Sequence, residues 1–222
     1  MPTTWLQRFD RKLGQTVPGR LRLALALLTI PLLLSFFAPL WHINLRAPQY
    51  PKGLDLWIYS WKVEGGNGGH DVKEINTLNH YIGMRSLDRA NLVDLDWLPF
   101  ALGALALLNL RIAVLGNLRS LIDLAVMVGY FTLFAFGRFV YQLHDFGHNL
   151  DPRAPMNVAP FMPPVLGSKQ IANFTSSAYP GLGSVFMTLF VGGLVVVLVL
   201  ALRGVWADPP SEGEAEAHAA AA

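Results

Sequence analysis

The sequence predicts an all-α membrane protein: an antiparallel bundle of four transmembrane helices, with two structured external loops forming a cap. Three observations lead there. Only 14% of the 222 residues are charged and 53% are hydrophobic, against about 25% charged in an ordinary soluble domain. Four apolar runs of about twenty residues stand in the chain, each long enough to cross roughly 30 Å of hydrocarbon. Two long polar stretches separate them, and both fall on one side of the bilayer if the spans alternate.

Residues 1–20 form a basic N-terminal segment, with Arg8, Arg11, Lys12 and Arg20 against Asp10. Residues 21–41 are the expected first span. A cleaved signal peptide competes with that reading, because basic residues precede an apolar run. The run exceeds an h-region of about 7–15 residues, and Ser35-Phe36-Phe37-Ala38-Pro39 lacks a small-x-small cleavage site, so an uncleaved anchor is expected. Pro31 lies mid-span, where neighbouring helices absorb a kink.

Residues 42–96 are the first external loop, with Pro48, Pro51, Gly65-Gly66 and Gly68-Gly69. Within it, 54–62 reads as a short strand entering a turn, or equally as a segment lying on the headgroups. Residues 71–84 read as a helix with Asp71 near its start and Gly83 near its end, which sets His80 and Met84 on one face. The second span is 97–116, opened by Trp97 and Pro99 and closed by a snorkelling Arg111. A short turn, Gly116-Asn117-Leu118-Arg119-Ser120, forces an antiparallel third span over 121–141. Residues 142–181 are the second external loop, 182–202 the fourth span, and 203–222 an acidic, alanine-rich tail with the composition of disorder. Basic residues at the N-terminus, in the 111–119 turn and at Arg203 put that side, and both termini, in the cytoplasm. Both loops then face outward.

Composition also excludes partners. A net charge of +2 with no basic stripe gives nucleic acid nothing to bind. The absence of cysteine removes disulfides, thiolate zinc or copper, cysteine-held iron–sulfur clusters and c-type haem attachment. A bound metal must use His, Met, carboxylate or carbonyl ligands. His70, His80, Met84, His144 and His148 are the candidates. Imidazole suits copper, zinc and iron, and a thioether favours cuprous copper. His144 and His148 make an i,i+4 pair if the third helix continues beyond the membrane, although Gly147 and Pro152 argue that it frays. Structural hydrogen bonding at the membrane interface is the heavier alternative for these histidines. Haem fits less well than copper, because no histidine lies well inside a predicted span.

Arg138, near the outer end of the third span, needs a partner, since a charge at mid-bilayer costs on the order of 2.5–3.5 kcal/mol. Helical phase nominates Asp145, with an interfacial snorkelling arginine or a quinone or anion site as alternatives. Asp123 is expected to pair with Arg119 at the cytoplasmic end. Asn79, Asn149 and Asp151 are further candidates for partner or ion-pair contacts. The proline-rich run 153–164 cannot be regular helix and reads as an extended strap that docks onto another protein or onto the first loop.

Four blocks carry a resemblance: Ala47-Pro48-Gln49-Tyr50-Pro51-Lys52-Gly53-Leu54, Leu78-Asn79-His80-Tyr81-Ile82-Gly83-Met84, Gly147-His148-Asn149-Leu150-Asp151-Pro152 and Ile171-Ala172-Asn173-Phe174. In this order they resemble the NosB family, small four-span membrane proteins encoded beside clade II (atypical) nitrous-oxide reductases, over roughly residues 30–200. The resemblance implies an accessory protein of the bacterial cytoplasmic membrane that supports a periplasmic copper enzyme through maturation, copper handling or electron supply, and is not itself an enzyme. It brings no catalytic residues. A quinol-oxidising or electron-transfer subunit and a purely structural assembly subunit remain the alternatives. A transporter lacks the internal repeat and mid-span charges it would need.

Overall fold

A computed structural model describes residue 10, residues 12–171 and residues 173–207. Most of the basic N-terminal segment before Asp10, and the tail from residue 208 on, lie outside the described residues. The chain is mixed α/β, which overturns the all-α four-span expectation. Its helices are α1 (Gly19–Leu34), α2 (His70–Tyr81), α3 (Asp94–Leu115), α4 (Leu118–His148) and α5 (Leu182–Ala207). Its strands are β1 (Trp41–Ala47), β2 (Tyr50–Ile58), β3 (Val63–Gly65), β4 (Gly167–Ile171) and β5 (Phe174–Pro180). They form one antiparallel sheet in the order β3-β2-β1-β5-β4.

Three helices, α3, α4 and α5 over Leu182–Gly204, are long and apolar enough to cross a membrane. The expected first span is not the helix it was read as. Helix α1 ends after 16 residues at Leu34, the Ser35 hydroxyl donates to the carbonyl of Leu32 at 2.6 Å, and Trp41 already belongs to β1. Hydropathy runs unbroken across this boundary, because the first residues of a half-buried strand are as apolar as a helix. Helix α1 still packs on α3 and α5, with Leu25, Leu32, Leu102, Leu121, Phe190 and Leu194 in the core.

Polar contacts fix α1 in register. Buried Asn109 donates its amide to the Leu25 carbonyl at 2.6 Å and the Thr29 hydroxyl at 2.9 Å, bonds that an apolar interior leaves without competition from water. Arg22 donates through Nε to the carbonyl of Ala113 at 2.8 Å, and through a second nitrogen to Val114. It thereby satisfies carbonyls that the end of α3 leaves free. Asn117 caps α4 by accepting from the Ser120 N–H at 2.9 Å. Arg119 pairs with Asp10, not with Asp123 as the sequence suggests.

The two polar stretches fold as one unit. Strand β1 pairs with β2 from its own loop and with β5 from the other, so that Asn44 lies opposite both Asp55 and Ser177. Residues Ile43, Leu45, Leu54 and Leu56 face α2 and meet Ile75, Val72 and Leu78. The alternate positions, His42, Asn44, Asp55, Trp57 and Tyr179, form the outward face. The expected strand over 54–62 overlaps β2, and α2 occupies most of the expected helix over 71–84.

Helix α4 is 31 residues long, about 46 Å at 1.5 Å per residue, well beyond the expected third span. Its fully buried residues lie at the ends: Leu118, Leu121, Leu124 and Val128, then Phe146 and Gly147. Between them it meets its neighbours through single side chains, Phe131 on Trp97, Arg138 on Asp94 and Phe139 on Trp41, and rises to the sheet. There the strap docks onto the first loop. The N–H of Asp151 donates to the Gly83 carbonyl at 2.8 Å and that of Met156 to Tyr81 at 2.9 Å.

Gly83 allows this seam, and Gly147 a close approach within the second loop. Gly83 has φ +79°, and a Cβ there would lie 2.8 Å from the carbonyl oxygen of Asp151. A Cβ on Gly147 would fall inside the carbonyl oxygen of Phe161, whose N–H donates to the Gly147 carbonyl at 3.0 Å. Gly147→Ala should therefore destabilise the protein by about 1–3 kcal/mol, read as a lower thermal midpoint in detergent. Gly129→Ala, on the same helix with open space around it, should leave the midpoint unchanged or raise it.

Candidate functional site

Where the structure places the expected metal ligands follows from how α2 and α4 end. His70 opens α2 and is exposed; His80, in its last turn, is also exposed and sits 6.5 Å from the ring of Tyr81. Because α2 stops at Tyr81 and Gly83 turns the chain, Met84 enters the interior and lines a cavity. His80 and Met84 therefore do not share a helical face. His144 and His148 do lie on one helix, since α4 runs through both. Their exposed rings stack with centroids 3.7 Å apart, and Nδ1 of His148 donates to the carbonyl of His144 at 2.9 Å. Among the described residues no three His, Asp or Glu side chains converge to hold a metal.

The ion pairs also differ from the expected ones. Arg138 is held by Asp94 rather than Asp145, with Nε 3.1 Å from Oδ1 and Nη2 3.2 Å from Oδ2. Asp94 Oδ1 accepts from Trp97 Nε1 as well, at 2.8 Å. Seven residues along a helix is a rise of about 10 Å, too far for Asp145. Asp94 opens the antiparallel α3 at the same level as Arg138, where a carboxylate also complements the helix dipole. Asp145 instead binds Arg85 and accepts from Asn149. Asn79 is buried: its carbonyl accepts from the Met84 N–H at 2.8 Å and its amide donates to the Arg85 carbonyl at 3.4 Å. Asp151 accepts from the Arg153 N–H at 2.9 Å. Of these contacts the Arg85–Asp145 pair joins the two loops to each other.

Beneath the sheet lies a cavity of about 500 Å³, a size typical of small-molecule sites. The apolar face of the sheet and α2 roof it through Ile43, Leu56 and Ile75, and the outer halves of α3, α4 and α5 wall it. Trp41, Trp97, Phe131, Phe139, Phe146 and Phe161 all line it. Among the described residues the only charged ones in the lining are Arg138 and Asp94, paired with each other. Next to them Gln142 donates its amide to the Asn91 carbonyl at 2.8 Å. Thr132 and Thr188 turn their hydroxyls back to the carbonyls of Val128 and Ser184, each at 2.8 Å. Nothing in the sequence spacing shows that Asp94, Gln142 and Met84 meet here, because their elements are joined only through the fold.

On the opposite face of the sheet His42 stacks on Trp57 with centroids 5.5 Å apart and lies 2.9 Å from Asp55, which accepts from Asn44 at 2.8 Å. Burial alone would raise the Asp55 carboxyl, but the hydrogen bonds from Asn44 and His42, with the charges of His42 and Arg46, hold it below the ordinary carboxylate value. A carboxyl lowered by folding stabilises the native state above its unfolded value, about 3.9, and that stability is lost as pH falls through the folded value. Acid unfolding followed by tryptophan fluorescence should show this loss below about pH 4, and Asp55→Asn should flatten that limb while lowering stability at neutral pH.

No family model matches the chain, and neither a curated protein nor a solved structure matches it.

Proposed function

We propose that the protein is an accessory integral membrane protein of nitrous-oxide respiration, seated in a bacterial cytoplasmic membrane with residues 42–96 and 142–181 on the external side and both chain ends in the cytoplasm. There it supports a periplasmic copper enzyme, or one of that enzyme's maturation or electron-transfer components. The observation that carries the reading is the external module: two loops far apart in sequence complete a single sheet rooted in helices apolar enough for a bilayer. Such a unit is a rigid platform at the membrane surface. Arg111, Arg119 and Arg203, grouped at the other end of those helices, support the orientation. The likeness to NosB sequences supplies the process.

A second reading within this function is copper handling, favoured by the stacked, exposed pair His144 and His148. With Nδ1 of His148 donating to a carbonyl, its Nε2 is the nitrogen left for a metal. An electron-transfer role is the alternative that the cavity favours.

In a nitrous-oxide-reducing bacterium that carries this protein, deleting its gene should abolish whole-cell reduction of nitrous oxide, and the wild-type chain should restore it. Full activity without the chain would defeat the proposal. Replacing His144 and His148 together by Ala should lower copper per purified chain if copper is handled there. Unchanged copper and unchanged activity in that variant would leave the platform role and remove the metal.

A further inference from the structure

The geometry points to the cavity beneath the sheet as a binding site for a neutral, flat-ringed, lipid-soluble molecule with a ring carbonyl or hydroxyl, the quinone class. This site stands whether or not the protein serves nitrous-oxide respiration. Three features select the ligand.

The first is access. Half of the lining belongs to stretches of α3, α4 and α5 that are apolar enough to stand in a bilayer, so a hydrophobic molecule arrives from lipid without crossing water. The stretch of α4 between Val128 and Phe146, which has no fully buried residue, is the part that borders the cavity.

The second is the wall. Aromatic rings from five separate parts of the chain surround the space: Trp41 on β1, Trp97 on α3, Phe131 and Phe139 within the membrane stretch of α4, Phe146 near its end, and Phe161 on the strap. Ring-lined walls favour a planar head through stacked and edge contacts, more than they favour a mobile acyl chain.

The third is charge. Arg138 and Asp94 neutralise each other, and among the described residues no other charged one lines the cavity. A phosphate or a fatty-acid carboxylate would have to compete with Asp94 for the guanidinium. A neutral head does not. Arg138 uses two of its five N–H groups on Asp94 and keeps donors for a carbonyl. Gln142, one turn further along α4, has no hydrogen bond to its side-chain oxygen among the described residues and provides an acceptor for a hydroxyl. Elsewhere in the wall the hydroxyls of Thr132, Ser184 and Thr188 are turned to the backbone, while the buried Nε1 of Trp41 has no partner among the described residues.

The test uses the full-length protein in mild detergent, with 2-methyl-1,4-naphthoquinone as ligand and 2-methylnaphthalene as the ring without carbonyls. Trp41 and Trp97 report binding through fluorescence quenching. The quinone should quench saturably and bind more tightly than the hydrocarbon. Gln142→Leu should weaken the reduced form, 2-methylnaphthalene-1,4-diol kept under argon, about fivefold, roughly the worth of one net hydrogen bond from its hydroxyl, and leave the hydrocarbon unchanged. Ala135→Phe, which fills the cavity from α4, should weaken quinone, diol and hydrocarbon by more than about tenfold. Should that variant lose its thermal transition, the contrast between diol and hydrocarbon on Gln142→Leu decides alone. Quenching that rises linearly and equally in all variants would mean detergent partitioning and overturn the site. Equal affinity for quinone and hydrocarbon would overturn the head recognition. A stoichiometric phospholipid extracted from wild type and absent from Ala135→Phe would assign the cavity to lipid instead.

Discussion

Strand β1 hydrogen-bonds along both edges, to β2 from its own loop and to β5 from a loop that begins a hundred residues later. The rest of the sheet, and the helix ends beneath it, depend on that double pairing. A strand at a membrane surface with one open edge presents a row of unpaired backbone groups and invites association. Here the second loop closes that edge, and in doing so draws the ends of α4 and α5 to the same place as the ends of α1 and α3. The space left between sheet and helices is the cavity. It is bordered by the stretch of α4 between Val128 and Phe146, which has no fully buried residue.

Much of the membrane part is legible in the sequence, because a helix in lipid must be long and uninterrupted in apolarity. Helices α3, α4 and α5 stand where apolar runs were found. The sheet was legible only locally. Trp41, Ile43 and Leu45 alternate with His42, Asn44 and Arg46, a period-two signal. It was hidden because it begins inside a run whose hydropathy reads as a span. Strand β5, with Ser176, Ser177 and Thr175, is too polar to announce itself. Its pairing with β1 depends on a long-range contact that no local pattern encodes.

The candidate site shows the same division. The histidines were chosen for their chemistry, yet His70 and His80 face solvent, and the blocks around His80 and His148 hold their place for other reasons. Gly83 and Asp151 make the seam between the loops, through a backbone hydrogen bond and an approach that leaves no room for a side chain, while Asn79, Gly147 and Asn149 bond within their own loops. For Arg138, spacing within one helix points only to Asp145. The antiparallel neighbour supplies Asp94, because the short turn at Gly116 brings the outer ends of α3 and α4 level. An ion pair between elements is invisible to a rule about spacing within one.

The strand order also dictates a sequence of events during folding. Trp41 and Pro180 are partners about 140 positions apart, so β1 and β2 are synthesised long before β5 exists. In that interval the hairpin of β1 and β2 waits with one edge unpaired. Contacts of such sequence separation form slowly. The nascent sheet is thus an aggregation hazard until β5 arrives. A chain that stalls there shows chaperones and proteases an adhesive strand before any partner meets it.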